Sequence, residues 1–275
     1  MTFDYQQSIW GQGTASLKWT DPTRARLKQA LSALLFLPSG SRVLEIGCGA
    51  GQFIRAIKKN RPDLNCYGAD ISQPALDKAK TAGDGVDYRI SEPYKLPFDR
   101  NYFAAVLIFD VLEHLEDPAG MLAEVRRVLT QDGIFHCFVP CEGDGLSIWH
   151  KYEAQHHRDL TKKYAGHVQR FSRRSLFELM CANGFKIFKK RYSSHWLGQM
   201  LDLFVFKSMD AMSRKQGGRQ INNEAFFEQI NAQTGSVFRL FKKLVNFLVN
   251  VESAKLAIFP SPNVHISARK NISVK

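Results

Sequence analysis

Long apolar runs are missing from this sequence. No stretch approaches the roughly 20 residues that a membrane-crossing helix needs. The opening segment is polar and aromatic and lacks the apolar core of a signal peptide. A cytoplasmic location is expected, with contact at a membrane surface left open. Cysteine is sparse and scattered: Cys48, Cys66, Cys137, Cys141 and Cys181 are five in number, and none stands in a C-x-x-C spacing. That argues against a cysteine metal site and for reduced thiols in the core. Acidic residues are in deficit, 26 against 38 Lys and Arg, for a net charge of +12. Such a balance favours nucleic acid, anionic membrane or acidic substrates, but no basic arm or nucleic-acid motif is visible. What remains is ordinary globular composition, 44% hydrophobic and 12% aromatic, in 275 residues. That length suffices for one large α/β domain with an insertion.

The stretch from Val43 to Gly51, Val-Leu-Glu-Ile-Gly-Cys-Gly-Ala-Gly, organises the chain. Arg42–Ile46 reads as a strand buried on both faces, because Val-Leu-x-Ile supplies apolar residues to each side. Glycine at every second position then lets the backbone turn sharply and approach a ligand closely. A helix follows from about Gln52 to Asn60. A second strand, Asn65–Ala69, ends at Asp70, which a βαβ unit places to accept hydrogen bonds from a ribose. The acid at the end of the first strand, Glu45, would repel a pyrophosphate but suits an amino group or a cationic ligand.

Further strands are expected at Val86–Ile90, Phe103–Phe109, Ile134–Val139, Phe185–Ser193 and Val264–Lys270. Ser72, Asp117 and Ser172 read as caps of three helices, ending near Thr81, Leu129 and Asn183. Asp21-Pro22 reads as the start of a helix whose apolar face is Leu27, Leu31, Leu34 and Leu35. Thr130–Gly133 reads as a turn. Cys141–Gly166, with Trp149, His150, Tyr152, His156 and His157, reads as an active-site loop or cap. In a doubly wound sheet ligands sit beyond the carboxyl ends of the strands. Strand one delivers Glu45 and the glycines there, strand two Asp70, and strand four Asp110 to His114. Three polar clusters meeting at one edge are the main argument for a site.

The pattern E-x-G-x-G-x-G from Glu45 to Gly51, with Asp70 beyond it, resembles motif I of the class I S-adenosylmethionine-dependent methyltransferases. Ser91–Phe98 resembles the segment that holds the adenine in that family, with Glu92 where Asp is usual. Gly166-His-Val-Gln-Arg-Phe-Ser172 is similar to segments of the same group, the type 11 and ubiquinone-biosynthesis O-methyltransferase-like enzymes. The resemblance covers Arg42–Ser193 and the last strand. It implies an α/β, Rossmann-like, doubly wound seven-stranded sheet with strand seven antiparallel between five and six. It also implies S-adenosylmethionine as cofactor, held by Glu45, Gly47, Cys48, Gly49, Gly51, Asp70, Ile71, Glu92, Pro93, Asp110 and Val111.

Methyl transfer to a hydroxyl is helped by a general base. His114 is the first candidate because it follows the edge of strand four, with His157 and His167 next. Asp110-x-x-Glu113-His114 resembles the E-x-x-E-H segment of quinone-biosynthesis O-methyltransferases, so a divalent cation on Asp110, Glu113 and His114 is a minor alternative to no metal at all. The expected division is an arm and helix over 1–40 acting as a lid, with Phe3, Tyr5 and Trp10 as lid residues, then a core over 41–195, a helical insertion over 196–263 and a last strand with tail over 264–275. The insertion reads as helices Leu197–Met212, Glu224–Ala232 and Ser236–Val251. In the third, Val237, Leu240, Phe241, Leu244, Leu248 and Val251 share one face, and Arg239, Lys242, Lys243, Asn246 and Asn250 the other. This face either packs on the domain or, as a basic amphipathic surface, meets anionic lipid or a greasy substrate. The expected function is methylation, at oxygen, of a hydrophobic or lipid-linked small molecule. The alternatives are a macromolecule methyltransferase, for which the charge argues but the missing N-P-P-Y tetrapeptide does not, and a non-catalytic binding protein of the same fold.

Overall fold

The computed structural model describes residues 9–215, 217, 226, 230 and 236–271. Phe3, Tyr5 and most of the expected helix Glu224–Ala232 lie outside the described residues. Seven strands form one sheet: β1 (Arg42–Ile46), β2 (Asn65–Asp70), β3 (Asp87–Ile90), β4 (Phe103–Phe109), β5 (Leu129–Pro140), β6 (Phe185–Ser193) and β7 (Asn263–Lys270), in the order β3-β2-β1-β4-β5-β7-β6. Strands β1 to β5 pair in parallel, and β7 runs antiparallel to both β5 and β6. The chain therefore builds outward from β1 to β3, then returns to β4 on the other flank of β1. The point of return is the crevice where ligands bind in such sheets.

The alternation of side chains splits the apolar runs between two layers. On β4, Val106 and Ile108 join the layer containing Leu122 and Val125 of α4 (Pro118–Val128) and Leu176 of α7 (Arg173–Ala182). Ala105, Leu107 and Phe109 join the opposite layer, with Ile54 and Ile57 of α2 (Gln52–Asn60), Leu76 of α3 (Gln73–Lys80) and Leu27 of α1 (Arg24–Ala33). A strand covered on both faces must be apolar throughout, which is why Phe103–Phe109 carries no charge.

Local chemistry sets most boundaries as expected. Ser72 accepts from the Ala75 amide, Asp117 from the Gly120 amide at 2.9 Å, and Ser172 forms a capping box with Ser175. Four readings need correction. Helix α1 begins at Arg24 after Thr23, because the Asp21 carboxylate accepts from the Thr23 amide (2.8 Å) and hydroxyl (2.6 Å) and so closes a turn ahead of the helix. Leu35 lies past the end of that helix and is exposed. The expected turn at Thr130–Gly133 is a register shift inside β5. Cys141–Gly166 is largely helical, with α5 (Ile148–His156) and α6 (Leu160–Ala165).

Between β6 and β7 stand α8 (Trp196–Lys215) and α9 (Ser236–Lys255). Trp149, Leu160 and Tyr164 pack with Met209 and Phe226 in a small cluster of their own. Of the two readings of helix α9, packing of its apolar row on the domain is the one the structure contradicts. Leu240 and Phe241 are 70% and 60% exposed, with Leu244 and Leu248 also exposed, whereas Asn246 and Asn250 are buried. Asn250 donates to the carbonyls of Trp19 and Asp21, both at 2.8 Å, and Asn246 to that of Thr20. Those carbonyls belong to no sheet ladder, and the asparagine amides tie the segment ahead of α1 to α9. No helix among the described residues is long and apolar enough to cross a membrane.

Candidate functional site

The loop after β1 is held open by three left-handed glycines, Gly47 (φ 68°), Gly49 (φ 51°) and Gly51 (φ 86°). A Cβ at Gly47 would run into Val111, one at Gly49 into the Trp10 carbonyl, and one at Gly51 into the Tyr88 hydroxyl. The loop hangs on the sheet through Gly47 N–H to the Ala69 carbonyl (2.8 Å), and Ala50 N–H reaches the Trp10 carbonyl (2.8 Å). The N-terminal arm thus lies along the glycine loop.

The two acids of the motif are both tied into this frame. Asp70 accepts from the amides of Gly49 (2.7 Å) and Ser72 (2.9 Å). Burial holds its carboxyl above the usual range, with those amides opposing. Glu45 accepts from the Ile54 amide at 2.6 Å, and burial pushes its carboxyl well above the ordinary range. This contact starts α2. Gly51 at the N-cap has no side chain, so the strand acid supplies the missing acceptor.

A cavity of about 750 Å³ opens at the switch point between β1 and β4, within the range of small-molecule sites. Glu45, Gly47, Cys48, Gly49, Asp70 and Ile71 line it, as do Glu92, Pro93, Asp110, Val111, His114 and His167. Gly51 stands behind this wall, shaping the turn against Tyr88. His157 is set apart: it is the exposed left-handed residue that ends α5, and it does not line the cavity. The Glu92 side chain is largely exposed and pairs with Lys95 at 3.8 Å. Asp110, itself left-handed at φ 51°, is held by Arg26 of α1 through two 3.0 Å contacts.

Behind Asp110 the segment His167–Gln169 is tethered to the end of β4, since the amides of Val168 and Gln169 both donate to the Glu113 carbonyl at 2.9 Å. This places His167 beside His114, their rings 4.8 Å apart and nearly perpendicular. His114 Nδ1 lies 3.2 Å from the Gly166 carbonyl, and His167 Nδ1 lies 2.8 Å from Glu142 Oε1. Glu142 in turn accepts from the Thr161 hydroxyl at 2.7 Å. Burial lowers His114 to about 4 and raises Glu113 to about 8. Burial also opposes charge on His167, but the Glu142 carboxylate outweighs it and lifts the imidazole to about 9. His114 is therefore neutral at physiological pH and His167 cationic.

Sequence reasoning placed Trp149 in an active-site loop or cap but did not single out Glu142, Arg26 or Asp202 of α8, all of which line the same space. Glu142 follows the carboxyl end of a central strand, two residues after Pro140, which was a usable signal. Asp202 is a lone acid in the apolar run Leu201–Phe206, and that too was legible.

A family profile described as methyltransferase domain matches residues 44–137. The ubiquinone/menaquinone biosynthesis C-methyltransferase UbiE of Desulfotalea psychrophila is 34% identical over 102 residues, covering 36% of this chain and 42% of that protein. The ubiquinone biosynthesis O-methyltransferase of Thiobacillus denitrificans is 31% identical over 123 residues, 42% of this chain and 47% of that protein. The chain thus spans about half the length of the curated relatives it matches. Among solved structures, the [4+2]-cyclase SpnF aligns with 99% of this chain and 87% of its own at a TM-score of 0.56 and 18% identity. Geranyl diphosphate C-methyltransferase of Streptomyces coelicolor A3(2) aligns over 90% and 80% at 0.53 and 13% identity. These two likenesses concern the fold.

The chain carries a class I S-adenosylmethionine-dependent methyltransferase domain.

S-adenosylmethionine is the cofactor of this domain, and the domain is that of a transferase. The residues present fit that cofactor. The glycines leave a cradle that side chains would fill, Asp70 stands at the end of β2 where a ribose is received, and the cavity lies directly over both.

Proposed function

We propose that this methyltransferase domain transfers a methyl group to an oxygen of a hydrophobic or lipid-linked small molecule, received from a membrane surface through residues 196–260. The observation that carries the reading is a single cavity lined at one end by Gly47 and Asp70 and at the other by Trp149 and Phe206. Nucleoside and apolar acceptor would then share one water-poor space, where alignment of the reacting atoms does most of the catalytic work.

When bound, S-adenosylmethionine supplies an electrophilic methyl on a positively charged sulfur. The chain's own residues hold and orient. Gly47, Gly49 and Asp70 position the nucleoside, with Glu45, Cys48, Ile71, Pro93 and Val111 around it. His114, kept neutral by burial, has its Nδ1 at an acceptor-only carbonyl, so Nδ1 carries the proton and Nε2 the lone pair. That makes it the residue best suited to receive a hydroxyl proton. His167, cationic beside Glu142, supplies charge rather than a base.

Membrane contact is supported by the apolar row of α9 and by exposed Trp196, Met200 and Phe204 of α8. The start of α8 joins α9, since the amides of Trp196 and Leu197 both donate to Glu252 at 3.0 Å. Arg239 and Lys243 flank the row on α9, and a net charge of +12 suits an anionic surface. The same fold also carries a cyclase, so fold alone does not settle a reaction.

The test offers methyl-labelled S-adenosylmethionine with a lipid extract and, separately, with total RNA and protein. Label in the organic phase, lost in H114Q, supports the reading. Label on RNA or protein, or cofactor binding without transfer to anything, overturns it. For the membrane arm, phosphatidylglycerol vesicles should retain the protein and phosphatidylcholine vesicles should not, with L240E and L244E releasing it.

A further inference from the structure

We propose that the end of the cavity at Trp149 and Phe206 is a site for a protonated amine. The molecule methylated at oxygen would carry an ammonium group, received by Asp202 and Ser147 beside the two rings. The inference rests on the methyl-transfer reading above and names the class of acceptor.

Charge is the first observation. The chain carries +12, yet the cavity wall is acidic: among the described residues Arg26 is its one lysine or arginine. Most of its acids are engaged. Amides hold Glu45 and Asp70, Lys95 pairs with Glu92, Arg26 with Asp110, and cationic His167 with Glu142. Glu116 stands in the exposed loop ahead of α4. Asp202 lines the cavity and accepts no hydrogen bond among the described residues. Crowding by protein atoms disfavours its charge; Arg26 opposes this, and Asp110 and Glu142 reinforce it. A cation brought by a ligand would favour the carboxylate, which the wall leaves short of positive charge.

Ser147 is the second, independent observation. It stands at the N-cap of α5, its hydroxyl is wholly buried, and it lines the cavity without a hydrogen-bond partner. An N-cap serine ordinarily accepts from an amide of the first turn. Here Gln199 takes that part, accepting from the Ile148 amide at 2.8 Å. A buried polar atom ordinarily has its partner, so this hydroxyl points to a ligand.

The same contact brings the two groups to one end of the cavity. Gln199, Asp202 and Phe206 follow at spacings of three and four on α8 and all line the cavity. Gln199 sets this face against the start of α5, where the rings of Trp149 and Phe206 meet at 5.2 Å and 80°. A carboxylate, a hydroxyl and two aromatic rings suit an ammonium group, whose N–H groups donate to the oxygens while the ring faces attract its charge. A protonated amine has no lone pair, so it is held and does not attack. Asp202 and Ser147 are thus specificity residues that fix which oxygen of the acceptor meets the methyl.

The experiment titrates the full chain by calorimetry near neutral pH, saturated with S-adenosylhomocysteine so that no transfer occurs. The probes are phenethylamine and its neutral counterpart, phenethyl alcohol. They share their apolar part, so contact with exposed helices cancels in the ratio of affinities. The amine should bind at least about 10-fold more tightly. D202N should bring the two within about threefold of each other, and D202E should restore part of the preference. S147A should lower the preference by about 3-fold to 10-fold. Thermal midpoints and S-adenosylhomocysteine affinity check folding, and S147A carries the test should D202N fail to fold. The inference is overturned if amine and alcohol bind alike, or if the preference survives intact in D202N or in S147A. An amine preference lost in D202N, with no transfer to any acceptor, sinks the methyl-transfer reading and leaves the ammonium site. Transfer to a lipid-extract acceptor without an amine preference sinks only this inference.

Discussion

Replacing Gly47 with alanine probes the glycine loop and its neighbour on β4 in one measurement. Gly47 has φ 68°, a conformation that costs an L-residue about 1–2 kcal/mol. Its new Cβ would also strike Cγ2 of Val111, whose Cβ and Cγ1 both lie at 3.6 Å. Overpacking of this kind costs about 1–3 kcal/mol. G47A should therefore lose about 2–5 kcal/mol in all, read as a fall in the urea midpoint, and S-adenosylmethionine affinity should fall with it. The two contributions separate in a double-mutant cycle. V111A removes the obstructing methyls but not the backbone strain, so G47A/V111A should recover about 1–3 kcal/mol relative to the sum of the single variants and leave the rest lost. A coupling energy of zero would show that Val111 does not bound the loop, and the placement of β1 against the end of β4 would be wrong.

Other expectations follow from single contacts. E45A removes the acceptor of the Ile54 amide and should cost about 1–3 kcal/mol in urea, whereas E45Q, which keeps an oxygen there, should cost less than half of that. N250A removes the partner of the Trp19 carbonyl and one of the two of the Asp21 carbonyl, which keeps the Arg24 amide; stability should drop by about 0.5–1.5 kcal/mol, and proteolysis should then cut near Trp19. Asp202 lines the cavity, where protein atoms crowd its carboxyl although the side chain stays open to solvent. Burial raises its carboxyl to about 7, with Arg26 opposing and Asp110 and Glu142 reinforcing. The folded state thus holds this proton more tightly than the unfolded chain. The stability from this group is full below about pH 4 and is lost as pH rises through about 7. The urea midpoint of D202N should change less between about pH 5 and 8 than that of the parent; an equal or larger change would refute the assignment.

Much of the architecture was legible because its causes are local. Ser72, Asp117 and Ser172 cap helices wherever they sit, since each side chain needs only amides a few residues away. The run Phe103–Phe109 admits few fates other than a strand covered on both faces. The orientation of helix α9 was left open for the opposite reason. Its two faces are plain in the sequence, but which one turns inward depends on what waits there. Carbonyls at Trp19, Thr20 and Asp21 accept from Asn246 and Asn250, which turns that face inward and leaves Leu240 and Phe241 outside.

The site divides in the same way. By itself the sequence determined the strand, the glycine turn and the acid at Asp70, because spacing along one βαβ unit dictates where those groups stand relative to one another. Only the tertiary structure decided that Glu45 would cap α2, that Arg26 would take Asp110, and that His167 would come to rest beside Glu113 and His114. Each of those pairings joins side chains from separate elements. Carboxylates and imidazoles engage whatever partner the packing of other segments brings within about 3 Å of them, and no periodicity along the chain encodes that.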